Sequence, residues 1–381
     1  MGNDATEVLN EKQIKTFRTI LIVITGMFWG AVLTLLFETC CAVFPSNFCS
    51  GIVLDKTLGW RLKAGTYYVL KFQPHRKLKK ISINKRGFND INHAVIKDSK
   101  TTRIMFLGDS YTAAFRWDPV FNAVTVKAIH DDRRNRDTTY EIMNVAVSAW
   151  GTDQQLLYLA DEGMLYEPEI VFLMLAPNDI RESACKRFFF LDENGVLKKN
   201  RIEQPSFIER CCWILSNHSC GYNFLQKHIF KTNYGSFEKL FTYYPVFFKD
   251  GDLSADHLLF KMDIPDEVAE ARKLFESLLD RMHRLCCAHK TRLVIVMLPT
   301  KVEFSGVFDE KTHSSGLIAR YVKRIAEQKG IDFLDLYTLA SQENNPLEIF
   351  EFFGYHYSNY GFQYLSQQIS QYCIKHREWF L

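Results

Sequence analysis

Five short apolar runs alternate with helix-periodic segments across the last three-quarters of this chain, and that alternation restricts its fold more than any other feature. The runs are Ile104–Leu107, Tyr140–Val147, Ile170–Leu175, Leu293–Leu298 and Phe333–Leu336. None alternates strictly between apolar and polar residues, which suits strands buried on both faces of a parallel sheet. Helical patterns fill the intervals. Asp153–Leu165 follows the second run, Pro265–Ala288 precedes the fourth, Leu317–Gln328 precedes the fifth, and Tyr360–Ile374 closes the chain. In the longest, Val268, Ala271, Leu274, Phe275, Leu278 and Leu279 recur with a 3.6-residue period. Strands alternating with helices specify an α/β fold built on a parallel sheet of about five strands. Open sheets of this kind place ligands in the crevice beyond the carboxyl ends of their strands.

A second constraint lies near the N-terminus. Thr19 to Phe37 is nineteen residues without a charge, bounded by Arg18 and Glu38. That is close to the length of a membrane-spanning helix. With no small-residue cleavage pattern following it, the segment reads as an uncleaved signal-anchor. Lys12, Lys15 and Arg18 precede the span and Lys56 follows it, so the positive-inside bias places the N-terminus in the cytoplasm and the body outside it. The organisation expected is a cytoplasmic tail over 1–17, a span over 18–39, a connecting segment over 40–100 packed on the core, and a core domain over 101–381. An insertion over 183–262 interrupts that domain. It opens on a hairpin, Phe188–Leu191 to Val196–Leu197, and continues into aromatic clusters around Tyr243 and Phe248. It also contains the sequon Asn217-His218-Ser219.

At 381 residues and 47% hydrophobic content the chain can bury a large core. A formal net charge of +3 is too small to indicate nucleic acid. Ten cysteines would permit disulfides outside the cytoplasm, in a pairing the sequence does not fix. His283, Cys286 and Cys287 share one helical face, but no CxxC or HExxH motif occurs, and no metal or cofactor is expected.

Chemistry gathers at three strand ends and one late loop. The first strand runs into Gly108-Asp109-Ser110, the second into a turn at Ala149-Trp150-Gly151, and the third into Pro177-Asn178-Asp179; His356 lies just ahead of the last helix. A serine hydroxyl becomes a competent nucleophile when a neighbouring base takes its proton, and His356 is the best-placed base. A tetrahedral intermediate also needs donors for its oxyanion. The backbone N–H groups of Ser110, Ala149 or Gly151 and the amide of Asn178 are the candidates. Each residue also has a structural reading, as helix cap, loop tie or satisfied histidine. No GxSxG, GxxxxGK[ST] or GxGxxG motif competes with this constellation.

Gly-Asp-Ser after a strand, the Asn144 segment with its turn, Pro177-Asn178-Asp179, and His356 with Gly361 together resemble the blocks of the SGNH (GDSL) hydrolase family. The resemblance extends over nearly all of 101–381. Asn84-Lys85-Arg86-Gly87-Phe88 is also similar to a segment ahead of the serine block in membrane-anchored bacterial members. It implies a flavodoxin-like three-layer fold and hydrolysis or transfer of acyl esters, with Ser110 as nucleophile, His356 as base and Asn178 in the oxyanion hole. Acetylated cell-surface glycan is the substrate class that suits the placement. Two departures stand out. Ala149 occupies the family's oxyanion glycine, which is tolerable if the turn avoids positive φ. The family's aspartate, two or three residues before the histidine, is replaced by Gly354 and Phe353. Glu351 and Glu348 are the nearest upstream carboxylates, and Glu351 is the candidate orienter. Without it the site is a Ser–His dyad, and the domain then also fits a weakened glycan- or protein-binding module. An O-acyltransferase would use the same nucleophile.

Overall fold

The computed structural model describes residues 11–42, 52–70, 78–113, 139–186, 188–200, 206–225, 254–351 and 355–380. These fall into two compact units.

The smaller unit is helical. Helix α1 (Glu11–Ala42) contains a stretch, Lys15–Cys40, of 26 residues that is long and apolar enough to cross a membrane. At about 1.5 Å per residue it exceeds the ~30 Å of a bilayer's hydrocarbon core. Near its end α1 packs on a short helix from the insertion. The ring of Phe37 meets Phe224 edge-on at 6.1 Å. Glu38 accepts from the Ser219 hydroxyl and, at 3.1 Å, from the Gly221 N–H.

The larger unit contains the sheet. Its strands are β1 (Ile52–Asp55), β2 (Gly59–Leu62), β3 (Gly65–Leu70), β4 (Leu78–Ile83), β5 (Thr101–Gly108), β6 (Thr139–Ala146), β7 (Ile170–Leu175), β8 (Phe189–Leu191), β9 (Leu197–Lys199), β10 (Arg292–Met297) and β11 (Asp332–Asp335). Five of them form one parallel sheet in the order β11-β10-β7-β5-β6. Counted along the sheet's own strands this is 2-1-3-4-5, the flavodoxin-like order, whose switch point lies between the first and third strands. Here those are β5 and β7, so the crevice opens where Ser110 and Asn178 follow their strands. All six residues of β7 are buried, as a central strand covered on both faces must be.

The helices of this unit that form the layers are α2 (Ser110–Ala113), α3 (Thr152–Asp161), α4 (Asn178–Lys186), α5 (Asp266–Ala288), α6 (Leu317–Lys329), α7 (Leu336–Ser341) and α8 (Asn359–Lys375). Helices α3, α4, α5 and α6 pack against one another on one face of the sheet. Helices α7 and α8 cover the other, where Phe362, Leu365, Ile369 and Cys373 meet Ile104, Phe106, Phe172, Val294 and Val296. Acidic residues Asp266 and Glu267 in its first turn complement the dipole of α5, and its buried stripe runs from Val268 to Cys286 at helical spacing.

The sheet strands and the four long helices lie where the apolar runs and their periodicity put them, with end shifts of a few residues. Helix α3 is shorter than its Asp153–Leu165 pattern, ending at Asp161 before a 3-10 turn over Gly163–Tyr166. The hairpin in the insertion forms as β8–β9; the aromatic cluster around Tyr243 lies outside the described residues. Ahead of the core, β1–β2 and the Asn84–Phe88 turn belong to the same unit as the sheet. Phe88 is buried against Trp150 and Tyr158.

Candidate active site

Gly108 ends β5, and the chain turns at once into α2. A Cβ at that glycine would stand 2.5 Å from Thr112 Oγ1 and 2.9 Å from its Cβ. Only glycine admits so close an approach of the helix to the strand end. The turn presents Ser110 at the sheet's carboxyl edge, on the lining of a cavity of about 390 Å³. Tyr111, Ser148, Ala149, Asn178, Arg181 and His356 also line it.

His356 arrives from the far end of the sequence. Its loop is tied at several points: the Glu351 N–H donates to the His356 carbonyl at 2.9 Å, Phe350 and Tyr357 form an antiparallel bridge, and the Tyr357 hydroxyl donates to Pro299 O at 2.7 Å. Ser358 caps α8 by accepting from the Gly361 N–H at 3.0 Å. A Cβ on Gly361 would lie 1.9 Å from Ile349 O, so any other residue would push this loop off the core. The result is a separation of 2.9 Å between His356 Nε2 and Ser110 Oγ. The imidazole also leans on the Tyr111 ring, centroid to centroid 5.0 Å. Burial lowers the His356 pKa below that of an ordinary histidine, with the Glu351 charge opposing the shift. A neutral imidazole at neutral pH is the form that can accept a proton from a serine hydroxyl.

Asn178 opens α4. Its Nδ2 donates to Asp109 Oδ2 at 2.8 Å, which fixes which amide atom is nitrogen and leaves a second N–H on the same atom. Asp109 itself is fully buried and also accepts from the Tyr111 N–H at 2.9 Å. Burial pushes its pKa up to about 6, against the pull of those two hydrogen bonds. Behind it stands Asp179, also buried, which accepts from Gln155 Nε2 and the Ala176 N–H. Burial and the neighbouring Asp109 raise its pKa well above the carboxylate range.

Two alternatives for the backbone donor are separated by position. Ala149 lines the cavity, and among the described residues its N–H meets no acceptor. Gly151 caps α3 instead; its N–H points to Gln154 Oε1 at 3.4 Å, and it does not line the cavity. The Ala149 turn does not avoid positive φ: the residue sits at φ 61°. Left-handed backbone costs a non-glycine residue roughly 1–2 kcal/mol, so the contacts around the turn must hold it there.

Glu351 shares backbone bonding with His356, yet among the described residues no carboxylate hydrogen-bonds to His356 Nδ1. Lys301 Nζ instead grips the Glu351 carbonyl at 2.8 Å. Positions 353 and 354 lie outside the described residues.

Several charged groups at or behind the cavity wall carry no signal in the local sequence. Lys186, at the end of α4, is buried; it pairs with Glu182 at 2.6 Å and donates to the Ala149 carbonyl. Asp153 is buried nearby, its pKa driven by burial up to about 7. Arg181 lies 2.9 Å from Asp256, near the end of the insertion. Buried charges on a short polar helix look like a solvated face when read one residue at a time.

Two larger concavities, of about 660 and 720 Å³, flank the β8–β9 hairpin against α5. Among the described residues neither is lined by a histidine or cysteine. Among the described residues no group of three or more metal-ligating side chains converges.

No family model and no curated protein sequence matches the chain. Solved structures do. A lipase/acylhydrolase from Enterococcus faecalis is similar at 14% identity and TM-score 0.37, covering 72% of this chain and 96% of that one. A GDSL-like lipase from Bacteroides thetaiotaomicron is similar at 12% identity and TM-score 0.37, over 74% and 92%. A family 3 carbohydrate esterase from Clostridium thermocellum is similar at 11% identity and TM-score 0.38, over 73% and 98%.

Proposed function

We propose that the chain is an SGNH-type ester hydrolase, anchored by α1, whose larger unit faces away from the cytoplasm and acts on acyl esters of a cell-surface glycan. The observation that carries the reading is the 2.9 Å contact between His356 Nε2 and Ser110 Oγ at the sheet's switch point. Beside it stand Asn178 and the unoccupied N–H of Ala149.

The chemistry follows from that arrangement. Neutral His356 takes the Ser110 proton at Nε2 as Oγ bonds to the ester carbonyl carbon. The carbonyl oxygen becomes an oxyanion held by the N–H groups of Ser110 and Ala149 and the second N–H of Asn178. One such donor contributes about 3 kcal/mol to lowering the barrier. His356 then gives its proton to the departing alcohol, leaving Ser110 acylated. Water, deprotonated by the same imidazole, attacks the acyl carbon; the acid leaves and Ser110 regains a proton. A sugar hydroxyl in place of water would make the same intermediate serve acyl transfer.

The absence of a carboxylate on Nδ1 among the described residues favours a second reading, a weakened fold that binds glycan without turning it over. Purified full-length chain in detergent, given p-nitrophenyl acetate and an acetylated oligosaccharide, separates the two. Turnover that disappears in Ser110→Ala supports the hydrolase. Oligosaccharide binding with no acetate release supports the binding module.

A further inference from the structure

We propose that Trp60, on β2 of the hairpin ahead of the core, is a positioning residue that aims the Ala149 N–H into the oxyanion hole; the inference rests on the hydrolase reading above. The indole Nε1–H of Trp60 donates to the Ser148 carbonyl at 3.1 Å. Ser148 O and Ala149 N belong to one peptide unit, and the described chain has no cis peptide bonds. In a trans peptide the C=O and N–H point in opposite directions. Fixing the carbonyl on Trp60 therefore turns the N–H the other way. Both Ser148 and Ala149 line the cavity, and among the described residues that N–H has no acceptor.

The anchor itself is firm. Trp60 is fully buried. Its own carbonyl accepts from the Trp150 indole at 3.1 Å, so the two tryptophans hold each other across the turn that contains Ala149. Gln154 Nε2 donates to Leu58 O at 2.6 Å, joining the same hairpin to the start of α3. On the other side of the strained residue, Lys186 donates to the Ala149 carbonyl and places its ammonium 5.3 Å from the Trp60 ring centre. The turn is closed by the Trp150 N–H, which donates to Val147 O at 3.1 Å, and the two carbonyls inside it are held by Trp60 on Ser148 and Lys186 on Ala149; together these keep an alanine at φ 61°. A free turn of this sequence would relax toward negative φ and swing the N–H away.

Trp60→Phe keeps an aromatic ring and removes the donor. We expect kcat for p-nitrophenyl acetate to fall about 10- to 100-fold, the scale of a misaimed oxyanion donor, with KM within about threefold and fluorophosphonate still reaching Ser110. Affinity for a trifluoromethyl ketone, which forms an oxyanion on Ser110, should fall by the same factor as kcat. Trp60→His, which retains a ring N–H, should recover part of the rate. Adding Ala149→Gly to Trp60→Phe should also recover part of it, because glycine adopts the turn without strain. Should Trp60→Phe not fold, that double variant is compared with Ala149→Gly alone, and a lower kcat in the double carries the same meaning. Unchanged kcat and unchanged ketone affinity in folded Trp60→Phe, or a loss that only follows the unfolded fraction, overturns the inference while leaving the hydrolase intact. If the unaltered chain turns over no ester, the hydrolase reading fails and this inference falls with it.

Discussion

His356 Nε2 lies 2.9 Å from Ser110 Oγ although 246 residues separate them in the chain. The parallel sheet makes this meeting possible, because β5 delivers Ser110 to its carboxyl edge and the capped start of α8 delivers His356 to the same edge. Each consequence of that meeting can be measured.

Asn178→Ala should lower kcat by about 10²-fold, the usual effect of deleting one oxyanion donor, with little change in KM. It also removes the amide that satisfies buried Asp109. A stability loss of about 1–3 kcal/mol should accompany it. Steady-state kinetics and a thermal melt on the same sample check both.

Ala149→Gly should stabilise the fold. Relief of left-handed strain is worth roughly 1–2 kcal/mol, and the added freedom of glycine in the unfolded chain removes about 0.4–1 kcal/mol of that. The net gain is about 0.5–1 kcal/mol by denaturant titration. A destabilised variant would mean that the alanine methyl group packs in a way that outweighs its φ of 61°.

The pH profile should reflect two histidines in opposite senses. His356 has a pKa lowered by burial. Its neutral, proton-accepting form therefore persists below the ~6.5 of a free imidazole, and the acid limb of kcat/KM should have its midpoint below that value. His93 bridges Asp90 at 2.8 Å and Glu141 at 2.5 Å. Burial opposes its charge, but those two carboxylates outweigh burial and raise its pKa to about 9. The stability this protonated histidine contributes is complete below pH ~6.5 and is lost as pH rises through about 9. His93→Gln should flatten that alkaline decline in melting temperature while leaving the acid limb of kcat/KM where it was.

Gly354→Asp places a carboxylate two residues before His356, within the two- or three-residue spacing of the pattern the sequence resembles. Losing the orienting acid of a serine triad costs up to about 10⁴-fold. A dyad should therefore gain at least tenfold in turnover. An unchanged rate in a folded variant would mean that another group already orients the imidazole.

Much of this was legible in the sequence, for a physical reason. Strands buried on both faces must be continuously apolar, so Ile170–Leu175 is visible from composition alone, and the helix Asp266–Ala288 announces itself by its stripe. Ser110, Asn178 and His356 were readable because strand ends and helix starts are marked locally by Gly108, Pro177 and Ser358. Lys186 was not, since burial of a lysine depends on Glu182 and on the distant Ala149 carbonyl. Nor was the role of Trp60, whose indole reaches Ser148 across 88 residues. The positive φ of Ala149 belongs to the same class: alanine does not favour it, and the turn closed by Trp150 N–H on Val147 O is held in that form by the distant Trp60 and Lys186.

The most direct test is fluorophosphonate labelling of the full-length chain, followed by mass spectrometry of the modified peptide. In this reaction Oγ displaces fluoride at phosphorus, which requires an activated serine. One adduct on Ser110 is expected, absent in Ser110→Ala and slowed at least 100-fold in His356→Ala. No adduct on the folded, unaltered chain, or a His356→Ala variant that labels at the full rate, would contradict a nucleophile activated by that imidazole.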